Sequence, residues 1–422
     1  MSGGRDSGTW SAVPARACGP ARGRLALVLA GGAARGAYEV GVVHHLLAEV
    51  SRSLGRNVPL DIVCGTSVGA IHACALAALA DEPVRRAEHL IQHWTRLRVQ
   101  DVLQPDGREV LGMLRALLGR GPPAGRGGIF HPAGLERLLH AAIPWPRIEE
   151  NLRAGRLHAL TVTATHVATG RTVVFIDAAD GAIGRWRHDP TVTARPARIR
   201  VRHALASAAI PLLFPAVRIE GELYCDGGLR QNVPLSPARR LGATGLIVVN
   251  PNALPEHDPP SASNRWTEQA FLDPLFLLGK ALNALLLDRL DNDLDRLERI
   301  NRILEAGCRR YGPSFLAALN EEMGGSGHDL RILRAVLIRA SQDLGRLSAE
   351  YVRSPCFGGR ASGVLGRLMH RLADEQGANA DFLSYLLFDG QFAAQLIELG
   401  RADARAHHEE LCQIIDEVCP PA

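Results

Sequence analysis

The residues of this chain best suited to acyl-transfer chemistry are Ser67 and Asp226, each set among glycines. Ser67 is the centre of Gly65-Thr66-Ser67-Val68-Gly69. The apolar run Asp61–Cys64 before it reads as a buried strand. The small, apolar run Ala70–Ala80 after it reads as a packed helix. Strand, sharp turn and helix are the setting a Gly-x-Ser-x-Gly nucleophile elbow requires. Gly65 and Gly69 let the backbone turn tightly and let neighbours approach the serine. The helix start directs free N–H groups and a positive dipole end at the hydroxyl.

A serine becomes nucleophilic when a base takes its proton, and a carboxylate within hydrogen-bond reach can serve. Asp226 follows the short predicted strand Leu223–Cys225 and precedes Gly227 and Gly228. A turn that tight would bring the carboxylate close to another backbone. Asp-Gly-Gly in isolation is a routine turn; it gains meaning from the other two loops. Acyl transfer also needs N–H donors for the developing oxyanion. The loop Gly31, Gly32, Ala33, Ala34, Arg35, Gly36 is poor in side chains and opens a helix, so it is a natural supplier. The same loop would also close a simple strand–helix connection or cradle a phosphate. All three loops follow predicted strands at their carboxyl ends, where open α/β sheets bind ligands.

Sixteen histidines raise the question of a triad. His72 falls about one turn inside the elbow helix and reads as structural, as does His203. His257 follows Asp226 in the Ser, Asp, His order of α/β-hydrolases and is the one serious candidate.

The elements that must position these residues alternate along the first 250 positions. Leu25–Ala30 is a continuous apolar run, the mark of a strand buried on both faces. Ala37–Val50 then carries apolar residues at helical spacing. Residues 61–80 repeat the unit, which argues for a parallel, helix-covered sheet. Residues 83–98 read as helical. Leu111–Leu118 is a short amphipathic segment, and Gly119–Gly128 is a Gly/Pro/Arg-rich loop or lid. His158–Thr165 and Thr172–Asp177 read as a hairpin around Thr169-Gly170. His203–Ala209 is helical, Pro211 and Pro215 force an extended path, and Gly245–Asn250 is another buried strand.

Residues 251–264 are rich in Pro, Ser, Asn and Asp and read as a linker. Beyond it, Phe271–Leu304 carries a leucine stripe, and Arg331–Leu347 and Asp381–Leu399 read as helices. The stripe reads as a helix packed on the catalytic domain. Its polar face mixes both charge signs and lacks the cationic character that anionic lipid selects.

The whole chain of 422 residues is 46% hydrophobic and 22% charged, ordinary for a globular protein. A net charge of +4 is too small to argue for nucleic acid. Lys280 is the only lysine, so arginine supplies nearly all the positive charge. Eight scattered cysteines show no C-x-x-C pair and no metal-ligand spacing, which fits a reducing compartment. The first 24 residues read as disordered. No signal peptide is seen, and no stretch reaches the roughly 18 apolar residues of a transmembrane helix.

Four blocks in order resemble the signature of the patatin-like phospholipases. They are Leu27–Val42 with its Gly-Gly-Ala-Ala-Arg-Gly, Gly65–Gly69, Ala206-Ser-Ala-Ala-Ile-Pro211, and Asp226-Gly-Gly. The resemblance covers roughly residues 24–250. It implies a three-layer α/β/α fold with a mainly parallel central sheet, and a Ser–Asp dyad in place of a triad. It carries Ser67 over as nucleophile, Asp226 as general base and residues 31–36 as the oxyanion hole. The family commonly has a third glycine where this chain has Ala33. A methyl there is harmless at negative φ and strained at positive φ. The tail resembles that of bacterial members at Leu278–Asp288 and Ser384–Gly390.

The expected organisation is therefore a disordered segment at 1–24, a catalytic domain at 25–250, a linker at 251–264 and an α-helical C-terminal region at 265–422. The expected activity is hydrolysis of lipid esters, phospholipid or lysophospholipid, through an acyl-enzyme. No metal or cofactor is implied. The expected location is cytoplasmic and peripheral at a membrane, where the lipid substrate lies. Two rivals are a triad esterase using Ser67, Asp226 and His257, and a non-catalytic module binding lipid or phosphate through the glycine loop.

Overall fold

Among the described residues nine strands form one sheet, and the carboxyl ends of its central strands carry the site. The computed structural model describes residues 22–107, 127–179, 191–253, 290–323, 330–361, 363–373 and 379–421, with Gly181, Trp186, Leu277 and Lys280 between them. Residues 1–21, the segment Leu111–Leu118, nearly all of the Gly119–Gly128 loop, most of the expected linker including His257, and most of 271–289 lie outside the described residues.

The strands are β1 (Leu25–Leu29), β2 (Ile62–Thr66), β3 (Ala159–His166), β4 (Thr172–Ala178), β5 (Val192–Pro196), β6 (Val217–Ile219), β7 (Glu222–Asp226), β8 (Gly245–Asn250) and β9 (Arg334–Arg339). Their order is β5-β4-β3-β2-β1-β8-β9, with β7 also beside β3 and β6 beside β7. The pairs β3–β2, β2–β1, β1–β8 and β8–β9 are parallel. The expected hairpin is β3–β4, antiparallel, with Gly170 in the left-handed conformation of its turn.

Alternation along β1 shows why the sheet needs helices on both faces. Leu25, Leu27 and Leu29 enter one apolar core, and Ala26, Val28 and Ala30 enter the other. The first core is roofed by the helices Gly36–His44, Val68–Ala78 and Gly390–Ala406. The second is covered by Leu235–Arg240 and by Leu290 and Leu294 of the helix Leu290–Tyr311. Those two leucines belong to the predicted stripe, and they pack on the protein. The result is a three-layer α/β/α arrangement with a mainly parallel sheet and a mainly helical C-terminal region.

Two readings of the C-terminal region require correction. Arg331–Leu347 is not one helix. Arg334–Arg339 is the edge strand β9, parallel to β8, and the helix begins only at Leu344, capped by Asp343. The run Ala335–Ile338 is too short for periodicity to separate strand from helix. Asp381–Leu399 is likewise two helices, Ala380–Leu386 and Gly390–Ala406. Asp389 ends the continuity: its Oδ1 accepts the N–H groups of Gln391 and Phe392 and starts the second helix.

Candidate active site

Strand register brings Ser67 and Asp226 together. Along one edge of β3, Thr163 pairs with Thr66, the last residue of β2. The next residue, Ala164, pairs with Asp226, the last residue of β7. β2 runs parallel to β3 and β7 runs antiparallel, so two strands meet end to end at one point. Each chain must then leave the sheet. After Thr66 it does so through Ser67, held at φ 54° and ψ −125°, and enters the helix Val68–Ala78. A backbone this unusual for a non-glycine residue costs about 1–3 kcal/mol, which the packing around it must offset. Gly69 permits the sharp exit: a Cβ there would lie 2.5 Å from the carbonyl oxygens of Leu29 and Ala30.

Ser67 Oγ donates to Asp226 Oδ2 at 2.6 Å. Asp226 Oδ1 accepts the Gly228 N–H at 2.7 Å. The backbone of Asp226 is fixed as well: its N–H donates to Ala209 O at 2.9 Å, and its carbonyl accepts the Thr165 hydroxyl at 2.8 Å. Ser67 is 2% exposed and Asp226 is fully buried, so little water screens the pair. Burial pushes the Asp226 carboxyl up to about 7, against the opposing pull of the hydrogen bonds from Ser67 and Gly228. A carboxylate of that basicity, touching a hydroxyl, can take its proton near neutral pH.

The glycine loop lies beside this pair. A Cβ on Gly31 would lie 3.1 Å from Ser67 Cβ and 2.3 Å from Asn232 Oδ1, so only glycine fits there. The six residues are not equivalent as donors. The Gly31 N–H donates to Asn232 O, the Arg35 N–H to Gly32 O, and the Gly36 N–H to the Ala33 and Ala34 carbonyls. The N–H groups of Gly32, Ala33 and Ala34 have no acceptor among the described residues. At the elbow, the Ser67 N–H is committed to Ser207 Oγ at 2.8 Å. Ala33 sits at φ 47°, the left-handed region, so its methyl is strained by about 1–2 kcal/mol where glycine would not be.

A narrow cavity of about 40 Å³ opens beside Ser67 and Ala33. Val68 and Ile71 of the elbow helix, Val102, Leu103, Leu135, Ile210, Leu213 and Phe214 line it. Tyr385, Leu386 and Phe388 from the C-terminal region close it. Its apolar walls favour an apolar group beside Ser67 over a charged one.

Neither described histidine candidate reaches Asp226. His72 is buried behind the elbow, with Nδ1 2.8 Å from Glu39 Oε2 and Nε2 accepting the Trp94 indole N–H at 2.9 Å. Burial holds its ring down to about 3, so it is neutral. His203 accepts the Arg200 N–H at 3.0 Å and packs edge-on against Phe175. Sequence reasoning missed the residues that brace the site. Ser207 fixes the Ser67 N–H and itself donates to Thr163 O at 2.6 Å. It lies inside the Ala206–Pro211 block, the one available signal. Asn232 and Thr165 carried no recognisable pattern; the tail residues on the cavity lie inside the Ser384–Gly390 block, whose resemblance gave no sign of a place at the site. Among the described residues, no three His, Cys, Asp or Glu side chains gather as metal ligands would, and no helix is long and apolar enough to cross a membrane.

The sequence over residues 27–239 matches the family model of the patatin-like phospholipases, and the chain belongs to that family. It is 29% identical over 237 residues to the cGAMP-activated phospholipase of Pseudomonas aeruginosa, which covers 55% of this chain and 58% of that protein. Identity to human patatin-like phospholipase domain-containing protein 6 is 26% over 234 residues, 56% of this chain and 14% of that one. The chain thus spans only part of the length of these relatives. VipD from Legionella pneumophila aligns at a TM-score of 0.30 and 14% identity, over 90% of this chain and 67% of that structure, a likeness too loose to carry an argument.

Proposed function

We propose that the protein is a serine acyl hydrolase that cleaves lipid esters, phospholipid or lysophospholipid, through a Ser67–Asp226 dyad. The observation that carries this reading is the 2.6 Å hydrogen bond from Ser67 Oγ to a buried carboxylate poised near neutrality. Family membership supports lipid hydrolysis in general, and the apolar cavity beside Ser67 supports an acyl chain as the group held there.

In this mechanism Asp226 takes the Ser67 proton as Oγ attacks the ester carbonyl. The N–H groups of Gly32, Ala33 and Ala34 receive the developing oxyanion. Protonated Asp226 returns its proton to the leaving alcohol, and an acyl-Ser67 ester remains. Asp226 then takes a proton from water as it attacks the acyl-enzyme, and returns that proton to Ser67 Oγ as the acyl–Oγ bond breaks and the fatty acid leaves. The triad reading draws no support from the site, because the carboxylate oxygens of Asp226 face Ser67 and Gly228. A binding module would have no use for a base on a strained serine.

The test is fatty-acid release from a panel of phospholipid, lysophospholipid and neutral glyceride vesicles, with the Ser67→Ala chain as control. Release from a phospholipid or lysophospholipid that disappears in a folded Ser67→Ala variant is the expected outcome. Equal release by both chains would overturn the reading.

A further inference from the structure

Arg35 stands in the glycine loop, yet its guanidinium is turned away from Ser67 and consumed elsewhere. The residue is 5% exposed. Nε donates to Ser384 Oγ at 2.7 Å and one terminal nitrogen donates to Asn252 Oδ1 at 2.8 Å. The other terminal nitrogen lies 3.3 Å from both the carbonyl oxygen and Oδ1 of Asp381. The guanidinium carbon lies 4.0 Å from the centre of the Tyr385 ring. Ser384 is held in turn, its Oγ donating to Asp381 O at 2.6 Å. Three of these partners, Asp381, Ser384 and Tyr385, lie on the helix Ala380–Leu386, some 350 positions away in sequence. A charge this buried is tolerated because every nitrogen has an acceptor.

The backbone of Arg35 completes the device. Its N–H closes on Gly32 O at 3.0 Å, which spans Ala33 and Ala34. On the other side, Gly31 is tied to Asn232. Between these two ties lie the strained Ala33 at φ 47° and the N–H groups assigned to the oxyanion. A non-glycine residue stays in the left-handed region only where its surroundings over-determine it.

We propose that Arg35 is a positioning residue through which the C-terminal helix Ala380–Leu386 holds the left-handed Ala33 backbone, and with it the oxyanion donors, in the catalytic geometry. This rests on the assignment of the loop as the oxyanion hole. It makes the C-terminal region part of the catalytic apparatus, since the same helix also supplies Tyr385 and Leu386 to the cavity wall. Arg35 itself touches no reacting atom. Loss of the clamp frees Ala33 to relax toward negative φ and turns the donors away from the carbonyl.

The test uses the full chain, a soluble p-nitrophenyl ester and fluorophosphonate labelling of Ser67. Arg35→Met should lower kcat for acylation by about a hundredfold, the scale of a lost oxyanion donor, with KM within about threefold of wild type. Arg35→Lys should fall between, because an ammonium cannot serve a forked set of acceptors. Adding Ala33→Gly to Arg35→Met should restore kcat by about tenfold, because glycine adopts the left-handed conformation without strain. A merely structural arginine would show no such rescue. If Arg35→Met does not fold, Ser384→Ala removes one hydrogen bond of the clamp. It should cost about three- to tenfold in kcat and be rescued by the same glycine. A wild-type kcat in folded Arg35→Met, or in Ser384→Ala, overturns the proposal, as does the absence of rescue. If the wild-type chain neither labels nor turns over the ester, the reading of the site falls, and the clamp with it. Normal wild-type chemistry with an unaffected Arg35→Met removes the clamp alone.

Discussion

Thr66 and Asp226 occupy consecutive positions along one edge of β3, paired with Thr163 and Ala164. Two strands arriving from opposite directions end there, so the residue after Thr66 and the last residue of β7 must share a small volume. The hydrogen bond between Ser67 and Asp226 follows from sheet register, and the helices and turns around it only set its angle. Each side chain is then locked by backbone contacts, which is what a site that must hold sub-ångström geometry requires.

Replacement of Asp226 by Asn preserves shape and removes the base. Turnover of a p-nitrophenyl ester should fall on the order of a thousandfold or more, because a dyad has no second base. His257→Ala should leave turnover within about twofold. A crippled His257→Ala with a mild Asp226→Asn would establish the triad.

The pH dependence follows from the raised carboxyl. Asp226 must be ionised to take the Ser67 proton, and burial places its ionisation near 7. The logarithm of kcat/KM should therefore rise with slope one below pH 7 and flatten above it. A rate constant across pH 5 to 8 would contradict this basicity.

The same carboxyl sets a stability cost with a defined sign. Its folded pKa, about 7, lies above the 3.8 of an ordinary aspartate carboxyl. The fold therefore binds the proton more tightly than the unfolded chain. Its favourable contribution is complete below about pH 4 and is lost as pH rises through 7. Above that, the native state carries a buried carboxylate at a cost of a few kcal/mol. Asn carries no such cost. Thermal unfolding should show Asp226→Asn more stable than wild type at pH 8, with the gap closing toward pH 4. An identical gap at both pH values would refute the linkage.

Gly32→Val tests the glycine loop. A Cβ at Gly32 would lie 2.9 Å from Pro251 Cγ, so a branched side chain must displace the loop. Turnover should fall by roughly a hundredfold with KM nearly unchanged, since the oxyanion exists only near the transition state. Acylation at the normal rate by a folded variant would move the donors elsewhere around Ser67.

Leu103 lines the cavity, so Leu103→Trp narrows it. The ratio of kcat/KM for a twelve-carbon over a four-carbon p-nitrophenyl ester should drop by about tenfold, the scale of a few lost methylene contacts. An unchanged ratio would mean that the acyl chain lies outside this cavity.

The parts of this protein legible in its sequence are those that depend on local pattern. The β1 and β2 runs, the elbow at Ser67 and the Asp226 turn carry their signals within a few residues, and the parallel sheet follows from repeating strand–loop–helix units. What depends on distant chain was not legible. The edge strand β9 has four apolar residues and partial burial, so its periodicity is ambiguous until β8 pairs with it. The commitment of the Gly31 N–H to Asn232, of the Ser67 N–H to Ser207, and of Arg35 to Ser384 joins segments 140 to 349 residues apart. Ala33 was recognisable as the odd residue of its loop, but the sign of its φ was not.

The most direct measurement is fluorophosphonate labelling of the folded chain followed by peptide mass mapping. A single covalent adduct on Ser67, absent from Ser67→Ala and formed far more slowly in Asp226→Asn, is the result expected of a serine activated by that carboxylate. No adduct, an adduct on another residue, or an equal rate in Asp226→Asn would contradict the dyad.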